Sequence, residues 1–331
     1  MNTDIIVFVT FVIVALAIDL YAHKKDEPIP LKSAAIWSIF WIGIAMLFAG
    51  YLNWVHGPEM SSLFISGYVL EKTLSVDNLF VMAAIMSWFA VPDKYRHRIL
   101  YWGVLGAIVF RLIFVMIGTS LLSLGPWVEM IFALAVAASA VMMLRADDND
   151  NEIEDYSNHL ACRMTRRLFK VYPKLHGHNF FVKSTDVDGE HNQSKPYWMA
   201  TPLFLCVGVV ELSDVMFAFD SVPAVIAVSR EPLIIYSAMI FAILGLRTLY
   251  FVLEAMKDAL VHLEKAVIIL LFYIAGKLAL NASTHLFGVG YKIDPTHSLF
   301  VVLIILGLGI IASFIFPEKK DEEHSTSQAD A

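Results

Sequence analysis

Long apolar stretches alternate with short polar connections along most of the chain. A membrane-spanning helix needs roughly 20 mostly apolar residues, and nine runs of this kind can be recognised. Their approximate bounds are 4–22, 34–54, 62–90, 99–118, 124–144, 199–228, 233–253, 259–283 and 297–316. This pattern predicts an all-α, polytopic membrane protein with about nine transmembrane helices.

The composition agrees with this fold class. Of the 331 residues, 58% are hydrophobic and 17% are charged, whereas soluble domains average about 45–50% and about 25%. The formal net charge of −7 disfavours nucleic acid as a partner. The lipid bilayer is therefore the expected surrounding of this protein.

Polar stretches divide the chain into four parts. Residues 1–144 hold segments 1–5, residues 145–198 form a long loop, residues 199–316 hold segments 6–9, and the tail at 317–331 is predicted to be disordered. The loop opens with an acidic run and continues with a basic part from Arg163 to Lys174. We interpret both runs as solvated loop or short amphipathic helix.

Lysine and arginine in the connections predict the orientation. With nine crossings, all of these residues except Arg230 and Lys292 fall on one side of the membrane. Cytoplasmic connections are enriched in such residues. We therefore expect the N-terminus outside, the C-terminus inside, and the 145–198 loop in the cytoplasm.

Segments 3 and 6 carry five carboxylates, which are Glu71, Asp77, Glu211, Asp214 and Asp220. Each costs roughly 2.5–3.5 kcal/mol at the centre of a transmembrane helix, so we expect these groups to face each other, a cavity or an ion. Four cations also lie within segments, namely Lys72, Arg111, Arg247 and Lys277. One interpretation pairs them with the acids as buried salt bridges. Because the acids outnumber the bases, the other interpretation, a bound cation, is favoured.

The two acidic segments also resemble each other. Glu71 is followed after five residues by Asp77-Asn78, and Asp214 is followed after five residues by Asp220-Ser221. The segment that follows each acidic segment has a lone arginine, Arg111 or Arg247, after a run of small and aliphatic residues. Segments 3–5 therefore match segments 6–8, and an odd number of crossings makes this an inverted repeat. Transporters with such repeats bind substrate at the repeat interface near the midplane.

The spacing of the acids leaves two geometries open. Asp77 lies about 120° around a helix from Glu71, so either the acids face different partners or the helices are broken. Pro223 cannot donate to the carbonyl of Phe219, which favours a break in segment 6 beside Asp220.

The candidate ligands indicate the class of metal. Carboxylate, amide, hydroxyl and carbonyl oxygens suit Mg²⁺, Ca²⁺ or Mn²⁺. We interpret Met216 as simple packing; if it lined the site, its thioether would favour Mn²⁺.

Three motifs carry a family resemblance. They are E-K-T-L-S-V-D-N-L-F at 71–80, E-L-S-D-V-M-F-A-F-D-S-V-P-A at 211–224 and F-A-I-L-G-L-R-T-L-Y-F at 241–251. Over about residues 5–316 the chain resembles the TerC/Alx family of integral membrane proteins. The resemblance implies a bacterial inner-membrane protein of a group named for tellurium resistance, with members linked to manganese efflux and to metal or alkaline stress. By analogy, the metal path would consist of Glu71, Asp77, Asn78, Glu211, Asp214, Asp220 and Ser221.

The leading hypothesis is a secondary exporter of divalent cations, most readily Mn²⁺, in exchange for protons. The chain has no G-x-x-x-x-G-K-[ST] motif for ATP use. Two alternatives stay open, a Ca²⁺/H⁺ exchanger and a membrane scaffold that binds protein partners through the 145–198 loop in the stress response. We expect neither enzymatic activity, since the segments carry no nucleophile constellation, nor a cofactor beyond the transported ion.

Overall fold

A computed structural model describes residues 2–22, 30–146, 160–187, 197–256, 262–288 and 294–316. The helices in these ranges are α1 (Asn2–Ala22), α2 (Leu31–His56), α3 (Pro58–Trp88), α4 (Asp93–Leu122), α5 (Pro126–Ala146), α6 (Leu160–Leu168), α7 (Pro202–Val228), α8 (Pro232–Ile243), α9 (Leu246–Met256), α10 (Leu263–Phe287) and α11 (Pro295–Ile315). The strands are β1 (Lys170–Val171), β2 (Phe181–Lys183) and β3 (Trp198–Ala200).

Each of the nine predicted segments coincides with a helix or with the pair α8 and α9. Among the described residues, six helices are long and apolar enough to cross a membrane, namely α2, α4, α5, α7, α10 and α11. The bent pair α8–α9 makes a seventh candidate. Helices α1 and α3 cover the other two segments, and their crossing, and with it the count of nine, stays a prediction.

Helix starts follow from local sequence. Proline stands at the first position of several helices, where a missing N–H costs nothing, namely at Pro58, Pro126, Pro202, Pro232 and Pro295. The carboxylate of Asp294 caps α11 by accepting a hydrogen bond from the backbone N–H of Thr296 at 2.8 Å. This backbone hydrogen bond lowers the pKa of the Asp294 carboxyl group.

The packing of the long helices is reciprocal between the two predicted repeats. The third helices, α5 and α10, pack along each other. Helix α4 packs on α7, and α8 packs on α3, so the second helix of each repeat contacts the first helix of the other. An inverted repeat produces this arrangement.

The predicted break in α7 is wrong. Helix α7 runs without interruption through Pro223, and a single proline is tolerated in such helices because neighbouring groups can satisfy the freed carbonyl. The break lies instead between α8 and α9, whose axes differ by 54°. Gly245 adopts a positive φ of 78° there, a conformation that glycine adopts readily.

The 145–198 loop contains a small folded region. Its basic part includes α6, which agrees with the second of the two interpretations left open, a short amphipathic helix, and α6 packs against α7. The strands form one sheet in the order β1-β3-β2, with β1 parallel and β2 antiparallel to β3. This sheet was not predicted, because strands of two or three residues leave almost no sequence pattern. The acidic run and the tail after 316 lie outside the described residues.

Candidate functional site

A buried ion-pair cluster joins three helices near the middle of the bundle. The guanidinium of Arg111 on α4 contacts the carboxylate of Glu71 on α3. Its Nη2 also donates a hydrogen bond to Oδ1 of Asp214 on α7, at 3.2 Å. Each residue lies in the central part of its helix. Acids from the two repeats therefore meet at one arginine, where an inverted repeat places a substrate site.

The acids of this cluster outnumber its cation. Glu71 and Asp214 are 0% and 1% exposed, and Glu211, one turn earlier on α7, is partly buried. Within the described part of the chain, Oε2 of Glu71, Oδ2 of Asp214 and Oε2 of Glu211 have no hydrogen-bond partner. Among the described residues, Arg111 is the cation that pairs with Glu71 and Asp214, and one guanidinium cannot neutralise three carboxylates. Protons or a further cation would be needed to neutralise the rest.

Glycines on α4 allow this helix to approach α7 closely. A Cβ atom at Gly106 would overlap the carboxylate of Glu211, and one at Gly103 would lie 3.2 Å from a methyl group of Val210. Small residues are used in this way where transmembrane helices cross. In the sequence, the stretch that contains these glycines indicates only the repeat. The structure shows that Gly106 provides the space for the Glu211 carboxylate.

Replacing Gly106 with alanine is expected to destabilise the protein by about 1–3 kcal/mol, because the added methyl group needs space that Glu211 occupies. The measurement is the free energy of unfolding in mixed detergent micelles. Gly43→Ala on α2 is the matched control, since open space surrounds that position and alanine favours a helix. Equal stability of both variants would show that Glu211 moves aside without cost.

The structure describes some of the other predicted ligands fully and others only by their position in a helix. Ser75 donates a long hydrogen bond of 3.5 Å to Glu71, on the same face of α3. Asn78 is 6% exposed and Ser221 is 2% exposed, so both are buried within the bundle. Asp77 and Asp220 lie within α3 and α7, but their side chains are outside the described part of the structure.

A formed metal site does not appear among the described residues. In that part of the chain, no three His, Cys, Asp or Glu side chains stand in an arrangement that could hold a metal ion. Arg111 lies between Glu71 and Asp214 in this conformation. Because the Asp77 and Asp220 side chains are not described, the seven-residue metal site stays a prediction.

Met216 does not support the predicted preference for Mn²⁺. Its side chain is 64% exposed, on the outer side of α7, while Asp214 two residues earlier is buried. Consecutive helical residues point about 100° apart, so a residue close in sequence to the site need not face it. The less favoured interpretation, in which the Met216 thioether lines the cluster, therefore does not hold.

Two further ion pairs connect the repeats at opposite ends of the bundle. At the end that carries α6, Arg96 on α4 pairs with Glu254 on α9 and donates to the Tyr250 hydroxyl at 3.2 Å. At the other end, Arg230 before α8 pairs with Glu129 on α5. Both arginines stand at the start of the second helix of their repeat. Sequence reasoning missed these pairs, because their partners are 158 and 101 residues apart.

A cavity of about 480 Å³ lies beside the Glu129–Arg230 pair. Its polar wall includes Glu59, Glu231 and His285, and Asn281 donates a hydrogen bond to Glu129 at 3.3 Å. This cavity is at the end opposite α6. It stops short of the central cluster, whose arginine is 1% exposed.

Comparison with known proteins identifies the family. Residues 56–321 match the integral membrane protein TerC family. The chain belongs to this family. The match includes the helices that carry Glu71, Arg111 and Asp214, and it confirms the resemblance found in the motifs. It also confirms the class of a helical integral membrane protein.

Relatives with names in the TerC group are similar over nearly their whole length. The "Tellurium resistance protein TerC" of Serratia marcescens is 63% identical, covering 98% of this chain and 96% of that protein. A protein of the same name from Alcaligenes sp is 62% identical, over 97% and 96% of the two chains. The "Putative membrane-bound redox modulator Alx" of Photorhabdus laumondii is 32% identical over 90% and 92%. No solved structure matches the chain.

Proposed function

We propose that this TerC-family protein is a secondary transporter of the bacterial inner membrane that exports divalent cations, most readily Mn²⁺, in exchange for protons. The excess of buried carboxylates around Arg111 carries the proposal. Two carboxylates, Glu71 and Asp214, contact one guanidinium, and Glu211 lies one turn from Asp214 on α7. Each of the three has an oxygen without a hydrogen-bond partner in the described structure. Ionisable groups at such depth in a bilayer mark ion and proton pathways.

Arg111 would act as a tethered counter-ion in this transporter. It lies between Glu71 and Asp214, which is where a bound divalent cation would compete for the same oxygens. Binding of that cation would repel the guanidinium, and release would let it return. Glu71 and Asp214 would thus keep a counter-ion both with and without substrate, which lowers the electrostatic cost of reorienting an empty site.

The two ion pairs at the ends of the bundle fit an alternating-access mechanism. Arg96 with Glu254 and Arg230 with Glu129 each link one repeat to the other, at opposite ends of the bundle. Movement of one repeat against the other would break one pair while the second stays formed. The central site would then open to one side of the membrane and close to the other, as expected for inverted-repeat transporters.

The choice of ion rests on ligand chemistry and on the family resemblance. Carboxylate, amide and hydroxyl oxygens suit Mn²⁺, Ca²⁺ and Mg²⁺ alike, so a Ca²⁺/H⁺ exchanger is the nearest alternative. The tellurium resistance in the names of relatives would follow indirectly. An oxyanion of tellurium would be repelled by a net-acidic cluster in a low-dielectric interior.

Mn²⁺ flux in proteoliposomes tests the proposal. We expect Asp214→Asn to reduce flux at least ten-fold, because it removes one of the carboxylates that attract the cation. Entrapped fluorescent indicators would report Mn²⁺ and pH together, with Ca²⁺ and Mg²⁺ added as competitors. Asp186→Asn is the matched control, since that carboxylate is exposed in the loop region and bonds only to Thr185 among the described residues.

The outcomes separate the hypotheses. Mn²⁺ flux that depends on Asp214 and moves protons in the opposite direction would support the exporter. Stronger flux of Ca²⁺ would favour the exchanger. Absence of any flux from well-folded wild-type protein would contradict the transport proposal, and the scaffold that acts through the 145–198 loop would replace it.

A further inference from the structure

Helix α6 is attached to the outside of the transmembrane bundle by one face. Ala161, Cys162 and Thr165 are buried, and Ala161 lies against Gly208 of α7, where a Cβ atom would be 3.6 Å away. These three positions fall within about 100° of each other around the helix. The rest of the nine-residue helix is exposed.

A second face of α6 is apolar and exposed. Leu160, Met164 and Leu168 are 49%, 54% and 71% exposed. Their spacing of four residues aligns them in one stripe, which lies directly beside the face that contacts α7. Three large apolar side chains in a row are unfavourable in water. The stripe therefore requires an apolar neighbour.

The third face of α6 is cationic. Arg163, Arg166 and Arg167 are exposed and fall in the remaining sector of the helix, and Lys170 and Lys174 follow it in the chain. Among the described residues, no carboxylate forms an ion pair with any of these three arginines. Their positive charges are therefore available to an external anion.

The depth of α6 along α7 matches the membrane boundary. Helix α7 has 27 residues and is about 40 Å long, whereas the hydrocarbon core is about 30 Å thick. About 5 Å at each end of α7 then lies in the headgroup region. Gly208 is about 9 Å from the start of α7, so Ala161 beside it lies close to the edge of the hydrocarbon.

Aromatic residues around α6 support this depth. The rings of Phe169, Phe181 and Phe204 contact each other at the start of α7, with centroids 4.5–6.2 Å apart. Trp198 on β3, four residues before α7, is 57% exposed. Amphipathic aromatic rings such as that of Trp are enriched at the membrane–water interface.

We propose that α6 is an interfacial helix that binds the phosphate headgroups of anionic phospholipids in the membrane around the protein. The apolar stripe would enter the edge of the acyl chains beside α7. The three arginines would form charge-assisted hydrogen bonds with lipid phosphates at the headgroup level. An apolar stripe next to a cationic sector is the pattern of helices that lie in this interface.

A lipid explains both faces of the helix at once. A nucleic acid would bind the arginines but would leave Leu160, Met164 and Leu168 in water, and an acidic protein would need an apolar patch to cover these three side chains as well. Helix α6 also packs directly on α7, which is one of the candidate membrane-spanning helices, so the apolar stripe lies next to the surface of the membrane-spanning bundle. This inference does not depend on the transported ion, so it can hold or fail independently of the transport proposal.

Native mass spectrometry of the full-length protein in detergent tests the headgroup contacts. The protein is titrated with phosphatidylglycerol or phosphatidylcholine, and inorganic phosphate is added as a competitor. We expect the variant R163Q/R166Q/R167Q to bind phosphatidylglycerol more weakly, by about five-fold per arginine. The control variant K32Q/K94Q/K265Q removes the same charge from exposed lysines at the starts of α2, α4 and α10, and it should weaken binding less, because these lysines lie on three different helices and do not form one cationic sector.

Three results of this titration would overturn the proposal. They are equal binding of the two lipids, an equal loss in the lysine variant, or displacement of phosphatidylglycerol by millimolar inorganic phosphate. The last result would mean a site for free phosphate. Binding of an acidic protein with no lipid preference would likewise replace lipid as the partner.

Spin labels measure the depth of α6 without removing its arginines. Labels are placed by Met164→Cys on the apolar stripe and by Arg167→Cys on the cationic sector, in liposomes that contain phosphatidylglycerol. The native Cys162 and Cys206 are buried, which protects them from labelling. We expect oxygen to relax the label at 164 several-fold more than a water-soluble nickel complex does, with the reverse at 167. Water exposure of both labels would contradict an interfacial helix, even if the arginine variant failed to fold.

Discussion

Replacing Arg111 with methionine is expected to destabilise the protein by about 3–5 kcal/mol, because Glu71 and Asp214 would stay buried without their shared guanidinium. The free energy of unfolding in mixed detergent micelles measures this loss. The same variant should show no Mn²⁺ flux under the transport proposal. This is the largest single-residue effect that we expect, since one side chain neutralises acids on two other helices.

A neutral triple variant separates stability from transport. In E71Q/R111M/D214N the guanidinium and the two carboxylates that it contacts are all replaced by neutral groups, so most of the lost stability should return while flux stays absent. Arg98→Met on the same helix is the control, because that cation lies over the Phe180 ring at 5.1 Å, an interaction worth about 1 kcal/mol. If R111M were no less stable than R98M, protons or another cation would already neutralise the acids, and Arg111 would not be the counter-ion.

The positions of the long helices could be predicted from the sequence because a bilayer requires about 20 apolar residues in each crossing. All nine predicted segments contain a helix in the structure. Charged residues within the segments could also be found, since a buried acid is conspicuous in an apolar segment. Glu71 and Asp214 pair with Arg111 as salt bridges, which was the less favoured of the two interpretations of the sequence.

Side-chain direction and backbone breaks could not be predicted in the same way. Pro223 indicated a break, but the structure has α7 continuous there and a break near Gly245. Met216 follows Asp214 closely in sequence, but it faces outward. Both outcomes depend on the tertiary surroundings, because neighbouring groups can satisfy the carbonyl that a proline frees and helix packing decides which face of a helix is buried. The sequence of a single segment does not indicate which helices will pack against it.

Lys72 shows how one helix stabilises the break in another. Its Nζ donates hydrogen bonds to the carbonyls of Ala242 at 3.0 Å and of Leu244 at 3.2 Å. These carbonyls lie at the C-terminal end of α8, where the helix dipole attracts a cation. Because consecutive residues point about 100° apart, Lys72 faces this break while Glu71 faces Arg111. The adjacent acid and base therefore serve different partners.

Replacing Lys72 with methionine is expected to leave both carbonyls without this donor inside the bilayer. Each buried acceptor that loses its partner costs about 1–3 kcal/mol, so we expect a loss of about 2–5 kcal/mol in the free energy of unfolding in detergent micelles. Lys72→Arg keeps the charge and the donors and should recover part of this loss. Transport should fall as well, since α9, which begins at the break, carries the buried Arg247.

Lys277→Met provides the matched control for this experiment. That lysine also lies within a candidate membrane span, but it donates to the hydroxyl of Ser298, which accepts a second hydrogen bond from Tyr273. Its removal should cost about 1 kcal/mol or less, because the hydroxyl keeps a partner. If both lysine variants lost the same stability, the effect would come from removing any intramembrane lysine. The assignment of Lys72 to the α8–α9 break would then be wrong.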